Sequence, residues 1–261
     1  CSLDVSAKIG LKLYNEFSIK HPNAFYLRGK VKNWDGIVHF INKGAQFKIG
    51  LLPLVVAKCK EFGYKVKVID TRPKLELPKK PVTKIAQFDL REEQIQAVSS
   101  ILYNKVENIP FHIGVIDYTV NAGKTAVMVA LYLSFKRKLK TLLITNDSDW
   151  LNQAKREFKD YLPGEDITFV QGSKVDNWSN FSIGMIQSLS RNVKKYQREL
   201  TKIDMVLVDE ADLAGSKSYQ TVLTHLYNTR VRIGLSGTIY MSKLVRDKLK
   251  NMNLRAFFGD I

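Results

Sequence analysis

Two cysteines, four histidines and 25 acidic residues are a thin supply for a chain of 261 residues. Each shortage removes a class of function. Cys1 and Cys59 cannot build a disulfide framework, and with His21, His39, His112 and His225 scattered they offer no ligand set at metal-site spacing. No run of about 18 apolar residues occurs, so no membrane partner is expected. The opening stretch, CSLDVSAKIGLKLYNEF, lacks a charged head followed by an apolar run and a small-residue cleavage site, and an intracellular protein is the default expectation.

The acid shortage leaves a net charge of +16. Residues 1–86 hold 17 Lys and Arg against 6 Asp and Glu, a net of +11, whereas residues 87–261 hold 24 against 19, a net of +5. A polyanion such as nucleic acid suits the first part, because Lys and Arg displace counterions condensed on phosphates. A solvated basic face kept for solubility is the alternative at this point.

DTRPKLELPKKPVTK, residues 70–84, carries three prolines and no sustained apolar period, and so reads as a linker. The expected division is a small basic α+β domain over 1–70, a linker over 71–86 and a larger α/β domain over 87–261. In the first, Val31-Lys32 and Ile37–Ile41 are expected as strands around the turn Asn33-Trp34-Asp35-Gly36. Leu51, Leu54, Val55 and Cys59 fall at helical spacing before Gly63, and a strand is expected over Lys65–Ile69.

Beyond the linker, short apolar runs alternate with helical stretches. HIGVIDY, TLLIT, ITFVQ, FSIGMI, MVLVDE and RVRIGLS read as strands apolar on both faces, with helices over 124–137, 149–161 and 217–227 between them. That pattern predicts a parallel sheet with helices on both faces and a ligand at the carboxyl ends of its strands.

The chemistry sits at those strand ends. Tyr118–Thr125, YTVNAGKT, follows a strand and opens a helix, the context of a phosphate loop written G-x-x-x-x-G-K-S/T. Backbone N–H groups of Asn121, Ala122 and Gly123 and the helix N-terminus would face an anion. Lys124 would neutralise the β- and γ-phosphates of ATP, and Thr125 would coordinate Mg. Tyr118 stands in place of the first glycine, and Asn121 takes the bend where glycine is usual, a conformation asparagine tolerates. MVLVDEAD, residues 205–212, is an apolar strand ending in carboxylates; Asp209 could hold the Mg, and Glu210 could orient and deprotonate water. Two carboxylates at the end of a buried strand are costly to desolvate without a role.

Asp209-Glu210-Ala211-Asp212 resembles the D-E-A-D form of the acidic motif of superfamily 2 helicases, whose lobes are RecA-like. Gly234–Thr238, GLSGT, is similar to their S-A/G-T motif, which implies that Ser236 and Thr238 couple nucleotide state to movement. Phe88–Val98, FDLREEQIQAV, resembles the adenine-reading motif, implying that Gln94 contacts the adenine edge with Arg91 nearby. SIGMIQSL, residues 182–189, implies nucleic-acid contact by Gln187 and Ser188, and NDSDWLNQ, residues 146–153, keeps Gln153 of another DNA-contact motif. The stretch NWDGIVHFINKGAQFKIGLLPLVVAKCKEFGYKVKV is similar to the first domain of phage recombination and branch-migration helicases. The resemblance implies an ATP-driven motor acting on forked or four-way DNA, in the host cytoplasm if phage-encoded, with Lys30, Lys32, Lys43 and Lys48 as candidates for phosphate contact.

Nothing after Thr238 reads as a second sheet. A second RecA-like lobe is therefore expected in cis outside these residues, bringing the arginine fingers, and the 261 residues alone should bind ATP weakly and hydrolyse it very slowly. A DEAD-box RNA helicase is disfavoured, since no aromatic-G-F precedes the adenine motif and P-T-R-E-L-A is absent. A restriction-enzyme translocase motor and a basic binding module with a nucleotide switch stay open.

Overall fold

The computed structural model describes residues 1–28, 34–118, 123–135, 138–172, 175, 177–237 and 247–259. They form two units, one of 1–66 with 247–259, the other of 67–237.

The first unit contains α1 (Ala7–Glu16), β1 (Ser18–Lys20), α2 (Ala24–Arg28), β2 (Ile37–His39) and α3 (Leu52–Glu61). Leu13 of α1, Phe17, Ile41, Phe47, Leu51 and Val55 and Cys59 of α3 are buried in one cluster. Burying side chains of this size stabilises by about 1.5–3 kcal/mol each. β2 pairs antiparallel with β1, Ser18 opposite His39. The turn before β2 is tied by its own side chains: Ile37 N donates to Asp35 Oδ1 at 2.9 Å and Trp34 Nε1 donates to Ile37 O at 2.9 Å.

Two expectations change here. β2 pairs with β1, and the strand expected over Val31-Lys32 lies outside the described residues. Residues 65–69 join no strand. The helix Lys248–Phe258, read from sequence as the end of the second domain, packs into the first unit and buries Ala256 in its core. Gly50 allows this approach, because a Cβ there would lie 2.2 Å from Arg255 O and 2.7 Å from Gly259 N.

In the second unit α4 (Glu92–Leu102) is followed by β3 (Ile113–Asp117), α5 (Lys124–Ser134), β4 (Thr141–Thr145), α6 (Ser148–Tyr161), β5 (Ile167–Val170), β6 (Phe181–Met185), α7 (Ile186–Arg191), β7 (Met205–Asp209), α8 (Lys217–Thr224) and β8 (Val231–Ser236). The strands form a six-stranded sheet in the order β3-β8-β7-β4-β6-β5, with every neighbouring pair parallel. This is a RecA-like sheet with helices around it. Leu142, Leu143 and Ile144 of β4 and Val206, Leu207 and Val208 of β7 are fully buried, as strands covered on both faces require.

Residues 71–83, read as a linker, lie along this unit as an extended strap. Leu75 and Leu77, two positions apart on one side of the extended chain, pack against the main core. Pro78 O accepts from Tyr103 OH at 3.1 Å, Pro73 O from Arg230 Nη1 at 3.2 Å, and Glu76 pairs with Lys138 at 2.8 Å. The prolines remove donors from the strap, and two of its carbonyls accept from side chains of the body.

Candidate nucleotide site

The sheet order brings three motifs together. β8 lies between β3 and β7, with Ser236 opposite Asp117 and Leu235 opposite Asp209, so three carboxyl ends stand side by side. Tyr118 N donates to Ser236 O at 2.8 Å, extending the ladder one residue past β3.

Residues 119–122, Asn121 and Ala122 among them, lie outside the described residues. Gly123 follows at φ +86° and α5 begins at Lys124. A Cβ on Gly123 would lie 2.5 Å from Gln94 Nε2 and 3.4 Å from Arg91 Nη2. The Gln94 and Arg91 side chains thus crowd Gly123. Gln94 is buried, and its Oε1 accepts from Arg91 N at 2.9 Å, which caps α4 and fixes the amide against Gly123.

Lys124 Nζ donates to Glu210 Oε1 at 3.0 Å and lies 3.8 Å from Asp209 Oδ1. Burial pushes the Asp209 carboxyl up to about 6; Lys124 pulls it down, and Glu210 adds to the rise. Glu210 has a left-handed backbone at φ +52°, rare for a residue with a side chain, which turns the chain sharply at the end of β7. Asp212 then comes under β8, where Ser236 Oγ donates to Asp212 Oδ1 at 3.0 Å.

Tyr219 of α8 carries no motif in the sequence. It is buried, its hydroxyl has no hydrogen-bond partner among the described residues, and burial raises its phenol, with Asp209, Asp212 and Glu210 adding to the shift. Its helical spacing marks it only as a core residue.

The donor set fits a hard cation held together with phosphates. Thr125 is buried on the first turn of α5, and the Asp209 carboxylate faces the same Lys124 ammonium that a phosphate loop presents. Mg is commonly bound by one or two protein oxygens together with water and phosphate oxygens. Among the described residues no cluster of three or more His, Cys, Asp or Glu could hold a metal ion by itself.

The other sequence-derived sites are placed as follows. Gln187 Nε2 donates to Asn146 O at 3.4 Å, which joins two of the proposed nucleic-acid motifs at the carboxyl ends of β6 and β4. Ser188 Oγ accepts from Gly172 N at 2.9 Å, and Gln153, on the exposed side of α6, donates to Glu157. Lys48 holds its ammonium 3.6 Å from the Phe257 ring centroid, a partner the sequence did not suggest, and Lys43 is exposed. Lys30, Lys32 and Thr238 lie outside the described residues.

Strand ends in this arrangement belong to a RecA-like fold of the kind found in helicase structures. The chain belongs to the family described as type III restriction enzyme, res subunit, whose model matches residues 87–241. It is 24% identical over 249 residues to the ATP-dependent DNA helicase uvsW of Enterobacteria phage T4, covering 91% of this chain and 48% of that protein. A putative ATP-dependent RNA helicase of Acanthamoeba polyphaga mimivirus is 27% identical over 125 residues, 48% of this chain and 23% of that protein. The chain therefore spans about half the length, or less, of these curated relatives. Among solved structures, the crystal structure of the UvsW helicase from bacteriophage T4 matches the whole chain and 94% of its own, with a TM-score of 0.74 at 21% identity.

Proposed function

We propose that this chain is the nucleotide-binding part of an ATP-dependent DNA motor that remodels forked and four-way DNA, with its basic first unit on the nucleic acid. The meeting of Lys124 with Asp209 and Glu210 across two strands carries this reading. A site that only bound a nucleotide would have no use for Glu210 beside the lysine.

Bound Mg-ATP would supply the phosphoanhydride to be cleaved and the cation that screens its phosphate oxygens. Asn121, Ala122 and Gly123 offer backbone N–H groups to phosphate, and Lys124 neutralises it. Thr125 and Asp209 hold the cation. Glu210 orients a water and takes its proton. Gln94 and Arg91 read the base, and Ser236 and Thr238 transmit the state of the site. Gln153, Gln187, Ser188, Lys30, Lys32, Lys43 and Lys48 are assigned to DNA, Lys48 by exchanging the Phe257 ring for phosphate. A translocase of the restriction-enzyme kind is the second reading, supported by the family description.

The test is fluorescence anisotropy of the 261-residue chain on a four-way junction, a plain duplex and a single strand across a salt series, with a fluorescent ATP analogue titrated separately. Preference for the junction with a steep salt slope supports the first reading, and equal affinity for junction and duplex supports the translocase. Failure to bind the ATP analogue in the presence of Mg would overturn both.

A further inference from the structure

Two aromatic side chains of the first unit stand almost wholly in solvent. Phe25 is 86% exposed and Tyr26 76%, and their rings meet edge to face with centroids 5.6 Å apart. Single exposed rings are ordinary, but an adjacent pair this bare is an apolar patch with no return in folding stability. Local structure holds them out. Ala24 is buried and Leu27 half-buried, so these two, three positions apart, form the inward face of α2. Backbone bonds from Ala24 N to His21 O at 3.0 Å and from Leu27 N to Asn23 O at 3.1 Å fix the turn. Consecutive positions 25 and 26 then have nowhere to point but outward.

The surrounding charge says what could cover them. Lys20, exposed on β1, stands just before α2, and residues 1–66 hold 11 Lys and Arg against 4 Asp and Glu, a net of +7; the acids nearest in sequence, Glu16 and Asp35, are engaged by Lys58 at 2.9 Å and His39 at 3.1 Å. A ligand suited to this face offers negative charge and flat π surfaces together. Unpaired nucleotides do, whereas a closed duplex presents phosphate and hides its base faces.

We propose that Phe25 and Tyr26 are a base-stacking site that holds unpaired nucleotides of a DNA strand, so that the first unit recognises a branch by its open bases as well as by phosphate. The inference rests on the reading that DNA is the polymer acted upon.

The experiment uses the 261-residue chain with Phe25→Ala and Tyr26→Ala combined, and with Phe25→Tyr and Tyr26→Phe combined as the aromatic control. Both are surface changes, checked by thermal melting. Binding is read on a labelled single strand, a fork with unpaired arms and a blunt duplex, with 2-aminopurine in the unpaired arm reporting stacking. The double alanine variant should lose about tenfold or more on the single strand and fork, should lose the quenching of 2-aminopurine, and should keep duplex affinity within about twofold. The aromatic control should behave as the parent. Equal losses on all three DNAs, or no loss on any, overturn the proposal; in the latter case the rings serve a protein contact, which sedimentation of the parent and variant would show if the partner is a second copy. A parent chain that binds none of the three DNAs removes the DNA reading itself, an outcome distinct from a parent that binds and a variant that is unaffected.

Discussion

Lys124 and Glu210 are 86 positions apart in the chain and meet in an ion pair of 3.0 Å, with Asp209 Oδ1 3.8 Å from the same ammonium. Removing a buried or half-buried cation from between two carboxylates leaves their repulsion uncompensated. The lysine head is held at the site by the groups that would act beside it.

Two substitutions should separate binding from chemistry. Glu210→Gln removes one competitor for the Lys124 ammonium, so affinity for an ATP analogue should hold or rise while the slow single-turnover hydrolysis is lost. Lys124→Ala should weaken analogue binding by at least about tenfold. Equal losses of affinity in the two variants would sink the assigned roles.

Gly123→Ala should destabilise the protein for two reasons that can be told apart. The left-handed φ of +86° costs an alanine on the order of 1–2 kcal/mol, and the new Cβ meets Gln94 Nε2 at 2.5 Å. Thermal melts should show Gln94→Ala relieving the second part and not the first. Strict additivity of the two substitutions would mean that Gln94 does not press on the glycine.

Ser236 donates to Asp212 Oδ1 at 3.0 Å and is fully buried. Ser236→Ala should cost about 1 kcal/mol of stability and leave ATP-analogue affinity within about twofold. An affinity loss as large as that of Lys124→Ala would place Ser236 in binding and not in coupling.

His112 is buried, and its Nδ1 donates to Ile101 O at 3.0 Å. Burial lowers it below the ordinary imidazole value of 6.5, against the effect of that bond. The unfolded chain then binds the proton more readily, so this contribution is complete above about 6.5 and is lost as pH falls below it. The slope is at most about 1.4 kcal/mol per pH unit for one proton. His112→Asn keeps a donor but does not titrate, and its melting temperature should fall less steeply than the parent's between pH 6.5 and lower values.

Gly50→Ala tests the docking of the helix Lys248–Phe258. With a Cβ 2.2 Å from Arg255 O, something must shift, at a cost on the order of 1–3 kcal/mol. Amide exchange over 248–258 should quicken in the variant, and unchanged protection there would mean that the helix does not rely on this approach.

The parallel sheet of the second unit is legible in the sequence, and it forms in the structure. β-branched runs apolar on both faces signal buried parallel strands through local periodicity, and Lys124, Thr125, Asp209 and Glu210 stand out as candidates because they sit at or just past the ends of such runs. What is not legible there depends on partners far off in the chain. A three-residue strand such as β1 carries too little pattern to name β2 as its mate. Leu75 and Leu77 were obscured by prolines until a core lay beneath them. The last helix was assigned by its place in the chain, yet it lies where Gly50 lets backbone approach backbone. The contact of Gln94 with Gly123 likewise exists only once α4 and α5 are packed, because periodicity tells which face a residue shows and not what comes to meet it.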